Sequence, residues 1–316
     1  MLVSMATANR TVVMTGASGG IGHQAAKHLL AEAPDVALVL LARSKADDLA
    51  EGLTQQTGNS NVRALTADLS SVSSIRAATA AVRADLERGA LPPLTGLIGD
   101  AGVQLTRATD TSDGHEMTFA VNILANYVLV KEFMDSFADP ARVVLTTSDT
   151  HFGDFKHTMG FVPAPIWREP RALATPGTAK DAGSSAAGRT AYSTSKLGLI
   201  YLTHEFARRL PSNVTIYSFN PGLVPGTGLV RDAGGLSDFM FRHIMPAMTI
   251  FPFARSIKTS GNALAEAFLR PAFAPSGSYL NGTNPERSSD ESYDEAREAA
   301  LWDELTRLAA PASGTH

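Results

Sequence analysis

An α/β fold, one doubly wound domain with helices on both faces of a mostly parallel seven-stranded sheet, is what this sequence predicts. Three observations lead there. Short apolar, β-branched runs alternate with amphipathic stretches along most of the chain, the order that builds a parallel sheet through crossover helices. The first apolar run breaks into a glycine-rich turn and then a helical stretch. No internal repeat and no shift in composition marks a second domain, so residues 1–316 read as one unit.

Residues 11–14 are the first predicted strand, a buried β-branched run. It meets Thr15-Gly16-Ala17-Ser18-Gly19-Gly20-Ile21-Gly22, and a helix continues to Leu30. Strand, glycine turn, helix is the context of a dinucleotide loop: glycines let the backbone approach a pyrophosphate, and the helix start offers free N–H groups. The second strand, 35–42, is almost continuously apolar, as suits burial on both faces. It ends in Ala42-Arg43-Ser44, where an acid would favour a free ribose. Arginine suits a 2′-phosphate, or is simply a surface side chain.

A polar helix over 45–57 and a third strand over 61–66 follow, ending at Asp68-Leu69-Ser70. Asp68 fits a helix cap near Val72 or an adenine contact, and both can hold together. Val72, Ile75, Thr79, Val82 and Leu86 recur at helical spacing within 71–88. The fourth strand, 94–98, runs into Gly99-Asp100-Ala101-Gly102, at the strand end where open α/β sheets hold ligands. A long helix is expected over 112–137 with Ser112 as N-cap, and Asn122 lies in it as an exposed polar residue or a satisfied buried amide. The fifth strand, 142–145, leads to Thr147-Ser148.

Residues 149–189 read as an irregular insert rich in proline and glycine, longer than most loops in a compact domain. Beyond it a helix over 190–210 carries Tyr192 and Lys196, which share a face at i and i+4. A fixed ammonium beside a phenol favours the phenolate, and the two can act as a tuned acid/base pair, although the same spacing taken alone also fits a solvated helix face. A sixth strand over 214–219, the turn at Pro221-Gly222 and a greasy stretch follow, and 225–258 is read as a substrate lid. A helix over 259–269, a strand over 278–280 and a C-terminal helix over 290–308 complete the chain.

Composition bounds the chemistry. A net charge of −4 without a basic stripe argues against nucleic acid as a partner. The absence of cysteine excludes disulfides and thiolate chemistry and fits the cytoplasm. No apolar run reaches the ~18 residues a membrane span needs, and no signal peptide is read at the start. His151 and His157 have no second ligand at metal spacing, so no metal is expected, and His151 reads as structural or lid-lining.

Taken in order, Thr15-Gly16, Gly20, Gly22, Asp68, Ala101-Gly102, Asn122, Ser148, Tyr192, Lys196 and Pro221-Gly222 resemble the short-chain dehydrogenase/reductase family, a Rossmann-fold family, over roughly residues 10–280. The insert, Ala42-Arg43 and the segment from Pro221 to Arg231 are most similar to its retinol dehydrogenase and protochlorophyllide reductase branch. The resemblance implies NADP(H) as cofactor, with NAD(H) second, and hydride exchange between a carbonyl and an alcohol; the greasy stretch from Phe239 to Phe253 makes a bulky hydrophobic substrate the expectation. Tyr192 would be the general acid/base, Lys196 would lower its pKa and bind the nicotinamide ribose, and Ser148 would bind the substrate oxygen. Asn122 would hold a water linking Lys196 to solvent. Gly16, Ser18, Gly20, Ile21, Gly22, Arg43, Asp68, Leu69, Ala101, Gly102, Pro221, Gly222, Val224 and Thr227 would line the cofactor. Catalytically silent cofactor binding, or C=C reduction or epimerisation, are the alternatives on the same scaffold. Both a monomer and a homodimer fit. Light-driven members carry cysteine where this chain has Leu223, so dark hydride chemistry is expected. One departure stands out: the family usually has Asn where this chain has Asp100.

Overall fold

The computed structural model describes residues 7–179, 181–224, 230–231, 254–270 and 274–310. The elements run β1 (Arg10–Thr15), α1 (Gly20–Glu32), β2 (Val36–Ala42), α2 (Ala46–Thr57), β3 (Val62–Thr66), α3 (Val72–Glu87), β4 (Leu94–Gly99) and β5 (Gln104–Leu105). Then come α4 (Met117–Phe119), a π-helical turn (Ala120–Leu124), α5 (Ala125–Phe133), β6 (Phe137–Thr146), α6 (Phe155–Thr158), α7 (Pro170–Ala174) and α8 (Ser185–Arg209). The chain continues with β7 (Val214–Asn220), β8 (Val230–Arg231), α9 (Ile257–Leu269), β9 (Tyr279–Asn281), β10 (Asn284–Glu286) and α10 (Glu295–Leu308).

The main sheet has eight strands, not seven, in the order β10-β9-β7-β6-β4-β1-β2-β3. Every neighbouring pair is parallel except β10 with β9. The added strand is a short antiparallel edge built on the turn at Gly282. Its exposed Asn-Pro-Glu sequence has no apolar periodicity to announce it. The order reverses between β1 and β4, which leaves a crevice at their C-terminal ends.

Both faces are covered. Val12, Met14, Leu38 and Leu40 point to a core shared with α1 and α9, through Leu29, Leu30 and Leu264. Val13, Val39, Leu97 and Val143 point to the other, shared with α3, α5, α8 and α10. All seven residues of β2 are buried, which explains its unbroken apolar run. On the second face α10 brings Trp302 edge-on to Tyr127 and Phe206 at 5.1 and 5.0 Å.

Several boundaries differ from the sequence expectation. The long helix begins at Met117, where Glu116 accepts from the Phe119 N–H, and Ser112 lies outside it. It ends at Phe133, and residues 137–141 belong to β6. Asp68 does not cap α3, because Asp113 accepts from the Val72 N–H at 2.8 Å. The insert is not shapeless: it contains a 3-10 turn (Asp149–Phe152), α6, α7 and the first turn of α8. Trp167 packs edge-on against Tyr201, and Thr194 accepts from the Ile166 N–H at 3.0 Å. Of the expected lid, residues 225–229 and 232–253 lie outside the described residues, while Gln104 and Val230 pair as β5 and β8.

Candidate active site

The crevice at the strand ends is a cleft of about 480 Å³. Gly16, Ser18, Gly20 and Ile21 line one wall, Arg43, Asp68 and Leu69 a second, and Ala101 and Gly102 the floor. Tyr192, Lys196 and Pro221 close its far end. Two glycines make the first wall. Gly16 has φ +82, and a Cβ there would stand 2.7 Å from the Ala101 nitrogen. At Gly22, behind the turn, a Cβ would stand 2.4 Å from the Gly16 carbonyl oxygen. Both positions hold the β1–α1 turn against β4 in a way no side chain permits. No side chain caps α1, so its first N–H groups face the cleft without a side-chain acceptor. Asp68 folds back on Ser70, accepting from its N–H and hydroxyl at 2.9 and 2.7 Å. Arg43 is exposed at the rim, with no ion pair among the described residues. A hollow lined by glycines, an open helix start and a free guanidinium fits an anionic dinucleotide.

Tyr192 and Lys196 project from α8 into this cleft, with the Lys196 Nζ 5.5 Å from the phenol ring centre. Both are buried. The Lys196 ammonium donates to the Thr146 carbonyl at 2.8 Å. Burial pushes Lys196 down to about 8, opposed by the charge of Asp100. Burial also pushes the Tyr192 phenol above its ordinary value, with the Ser148 hydroxyl bond lowering it and Asp100 raising it. The lowering expected from Lys196 does not figure among these causes; loss of solvent dominates.

Asn122 is fully buried in the π-helical turn. Its carboxamide accepts from the Val103 N–H at 2.8 Å and donates to the Val103 carbonyl and the Ser195 hydroxyl at 3.0 and 2.9 Å. It is therefore the satisfied buried amide of the two sequence alternatives, clamping the strand end to α8. A Cβ on Gly102 would lie 3.4 Å from Asn122 Oδ1 and 3.5 Å from Lys196 Nζ, so the missing side chain leaves a small space between them.

Asp100 stands between the glycine turn and β6. Its Oδ1 accepts from the Thr146 hydroxyl at 2.8 Å. Its Oδ2 lies 2.6 Å from where a Gly22 Cβ would be. Burial raises the carboxyl to about 7, while the Thr146 hydrogen bond and the Lys196 charge pull it down.

A brace that the sequence did not reveal holds the other side. Asp149 Oδ1 accepts from the Asn220 amide and the Tyr279 hydroxyl, both at 2.7 Å. Asn220 Oδ1 accepts from the N–H groups of Asp149 and Gly222 at 3.2 and 3.0 Å. Ser148 and Pro221-Gly222 are thus positioned from the ends of three strands, β6, β7 and β9. Arg255 packs on Gly222 and donates to Asn281 at 3.0 Å, and Ser260 donates to the Pro221 carbonyl at 2.7 Å. Asn220, directly before Pro221-Gly222, was the one member with a readable signal. Gly222 and Val224 lie beyond the cleft lining, and Thr227 lies outside the described residues.

His151 is structural. Its Nε2 accepts from the Ser289 N–H at 3.1 Å, so its Nδ1 carries the proton and donates to the Ser148 carbonyl at 2.7 Å. Burial lowers its pKa to about 4. His157 stacks on Phe152 at 3.9 Å and pairs with Asp154. A second hollow of about 550 Å³ lies between the insert, Phe119, Ile123 and another face of α8, through Ala191 and Thr194. It contains neither Tyr192 nor Lys196.

Comparison with known proteins accords with this geometry. The family description "short chain dehydrogenase" matches residues 10–160. Human retinol dehydrogenase 13 is 29% identical over 310 residues, covering 95% of this chain and 84% of its own. Chloroplastic protochlorophyllide reductase A of Triticum aestivum is 30% identical over 328 residues, covering 94% and 79%. Among solved structures, an NADPH-bound carbonyl reductase from chicken fatty liver superposes with a TM-score of 0.62 at 20% identity, covering 89% of this chain and 99% of that one. Among the described residues, no helix is long and apolar enough to cross a membrane.

Proposed function

Because the chain belongs to the short-chain dehydrogenase/reductase family, in its retinol dehydrogenase and protochlorophyllide reductase-like branch, we propose that this oxidoreductase uses NADP(H) to interconvert a carbonyl and an alcohol on a bulky hydrophobic molecule. One observation carries the reading: a phenol and an ammonium meet at the end of a glycine-walled cleft, and the Ser148 hydroxyl, which is not part of the cleft lining, hydrogen-bonds the phenol. The NADPH-bound carbonyl reductase and the retinol dehydrogenase among its relatives support the cofactor and the substrate class.

The residues that would hold the dinucleotide follow from the cleft. Gly16, Ser18, Gly20, Ile21 and the start of α1 would take the pyrophosphate, and Arg43 would take a 2′-phosphate. Asp68 and Leu69 would flank the adenine, and Ala101, Gly102 and Lys196 would meet the ribose nearer Tyr192; all five line the cleft. Pro221, Gly222, Val224 and Thr227 are assigned to the nicotinamide side. When bound, the cofactor supplies or takes up the hydride.

The protein's own part is the proton. Tyr192 is held protonated at neutral pH, so it is ready to donate to an oxygen that becomes an alkoxide. Ser148, hydrogen-bonded to the phenol, gives that oxygen a second donor. Lys196, charged below about 8, steadies the phenolate left behind. Proton replacement runs through the space that Gly102 leaves between Lys196 Nζ and Asn122 Oδ1, which is where a relaying water is assigned. In oxidation each step reverses.

The test is turnover of NADPH with a panel of hydrophobic aldehydes and ketones by wild type and Tyr192→Phe. Loss of the proton donor is expected to lower kcat by about 10²–10⁴ with cofactor binding retained. Wild-type rates in Tyr192→Phe with every substrate would remove the assignment.

A further inference from the structure

The carboxyl of Asp100 is held more firmly than a wall residue of a binding cleft requires. Thr146 is the anchor for two opposite charges. Its hydroxyl donates to Asp100 at 2.8 Å, and its carbonyl accepts from the Lys196 ammonium at 2.8 Å. The second carboxyl oxygen packs into the space that Gly22 leaves in the first turn of α1, at the positive end of that helix. Anion and cation are therefore each held by the same residue, Thr146, and interact through their charges.

We propose that Asp100 is a positioning residue for the proton-transfer pair: a fixed anion that keeps Lys196 charged and sets the pH range in which Tyr192 hands over its proton. This rests on the function proposed above and adds to it. The titratable groups facing Asp100 are Lys196 and Tyr192, both on α8; β6 and α1 bring Thr146 and Gly22, which do not titrate. Lys196 is already pulled down by burial, and Asp100 is the charge that opposes this. The same anion holds the phenol up. Removing it therefore moves both ionisations the same way, toward lower pH. An amide, the residue usual in this family, keeps the hydrogen bond to Thr146 and the shape but lacks the charge. Because the carboxyl itself takes a proton at about 7, the wild type carries an ionisation there that the amide variant lacks.

The experiment compares wild type with Asp100→Asn across pH 5–10, by two readouts. The first is the pH profile of kcat and of kcat/KM for a carbonyl that the wild type reduces. The second, without substrate, is NADPH affinity from the fluorescence of the bound cofactor. In Asp100→Asn, the midpoints in both series are expected to move down by about one pH unit, and the inflection near neutrality is expected to vanish. A residue acting only as a spacer changes the level of activity and leaves the midpoints where they were; that result overturns the proposal. Thr146→Val, which removes the donor and so keeps Asp100 neutral to higher pH, is expected to shift the midpoints in the same direction by less. It carries the test should the amide variant fail to fold. If no carbonyl is turned over by the wild type, the functional reading fails, and the NADPH series alone decides on Asp100: shifted midpoints support it, coincident ones overturn it.

Discussion

Replacing Asn220 by alanine removes four hydrogen bonds from a fully buried residue that does not line the cleft. Its carbonyl oxygen loses the N–H groups of Asp149 and Gly222; its amide leaves Asp149 Oδ1 and Asn281 Oδ1. Each buried polar group left without a partner costs about 1–3 kcal/mol. Two stranded N–H groups, with a carboxylate reduced to one donor, come to about 3–5 kcal/mol before water enters the gap. At about 2 °C per kcal/mol for a chain of this size, the melting temperature should fall by about 6–10 °C. The functional loss comes from position, because Ser148 and Pro221 flank the two released backbones. A displacement near 1 Å there should lower kcat/KM by about tenfold or more. Tyr279→Phe removes one donor to Asp149 and spares both N–H bonds, so its effects should fall between wild type and Asn220→Ala. Thermal melting and steady-state kinetics with NADPH measure both quantities. An Asn220→Ala protein that melts within about 1 °C of wild type and keeps its kcat/KM would show that these bonds do not brace the site.

Arg43→Ala is expected to weaken NADPH binding by about tenfold, the discounted value of one exposed arginine–phosphate contact, while leaving NADH affinity unchanged; equal losses for both cofactors in fluorescence titrations would refute a 2′-phosphate role. His151 supplies a pH dependence of stability. Its folded pKa is depressed from 6.5 to about 4, so the unfolded chain binds the extra proton. The stabilisation is complete above 6.5 and is lost as pH falls toward 4. Between pH 7 and pH 5 this amounts to about 2 kcal/mol in urea unfolding, and His151→Gln should flatten that dependence.

The fold was readable where periodicity and burial coincide. The run over β2 is apolar because both faces of that strand are covered, and the spacing through Val82 is helical because one face of α3 meets the core. β10 was unreadable because a solvated antiparallel edge needs no apolar pattern. The start of the long helix was misplaced because Ser112 resembles a cap in sequence, whereas the chain uses the side chain of Glu116. Asn122 illustrates a limit of composition: an amide on an apolar helix looks exposed until the π-helical turn presents it to Val103 and Ser195. The pairing of Tyr192 with Lys196 was legible because i and i+4 on one helix is a local relation. The brace was not, since Asp149, Asn220 and Tyr279 come from three strand ends. Their meeting is a property of strand order alone.

The ties at Ser148 have a consequence for the time at which the site comes into being. Asp149 meets Tyr279 across 130 positions, and His151 meets Ser289 across 138. During synthesis the glycine turn can close on β2 and β4 early, from chain that has already emerged. Ser148 has less independence, because two of the residues that steady its neighbours, Tyr279 and Ser289, follow it by well over a hundred positions. A nascent chain stopped upstream of Tyr279 would own a nucleotide cradle before it owned a held hydroxyl.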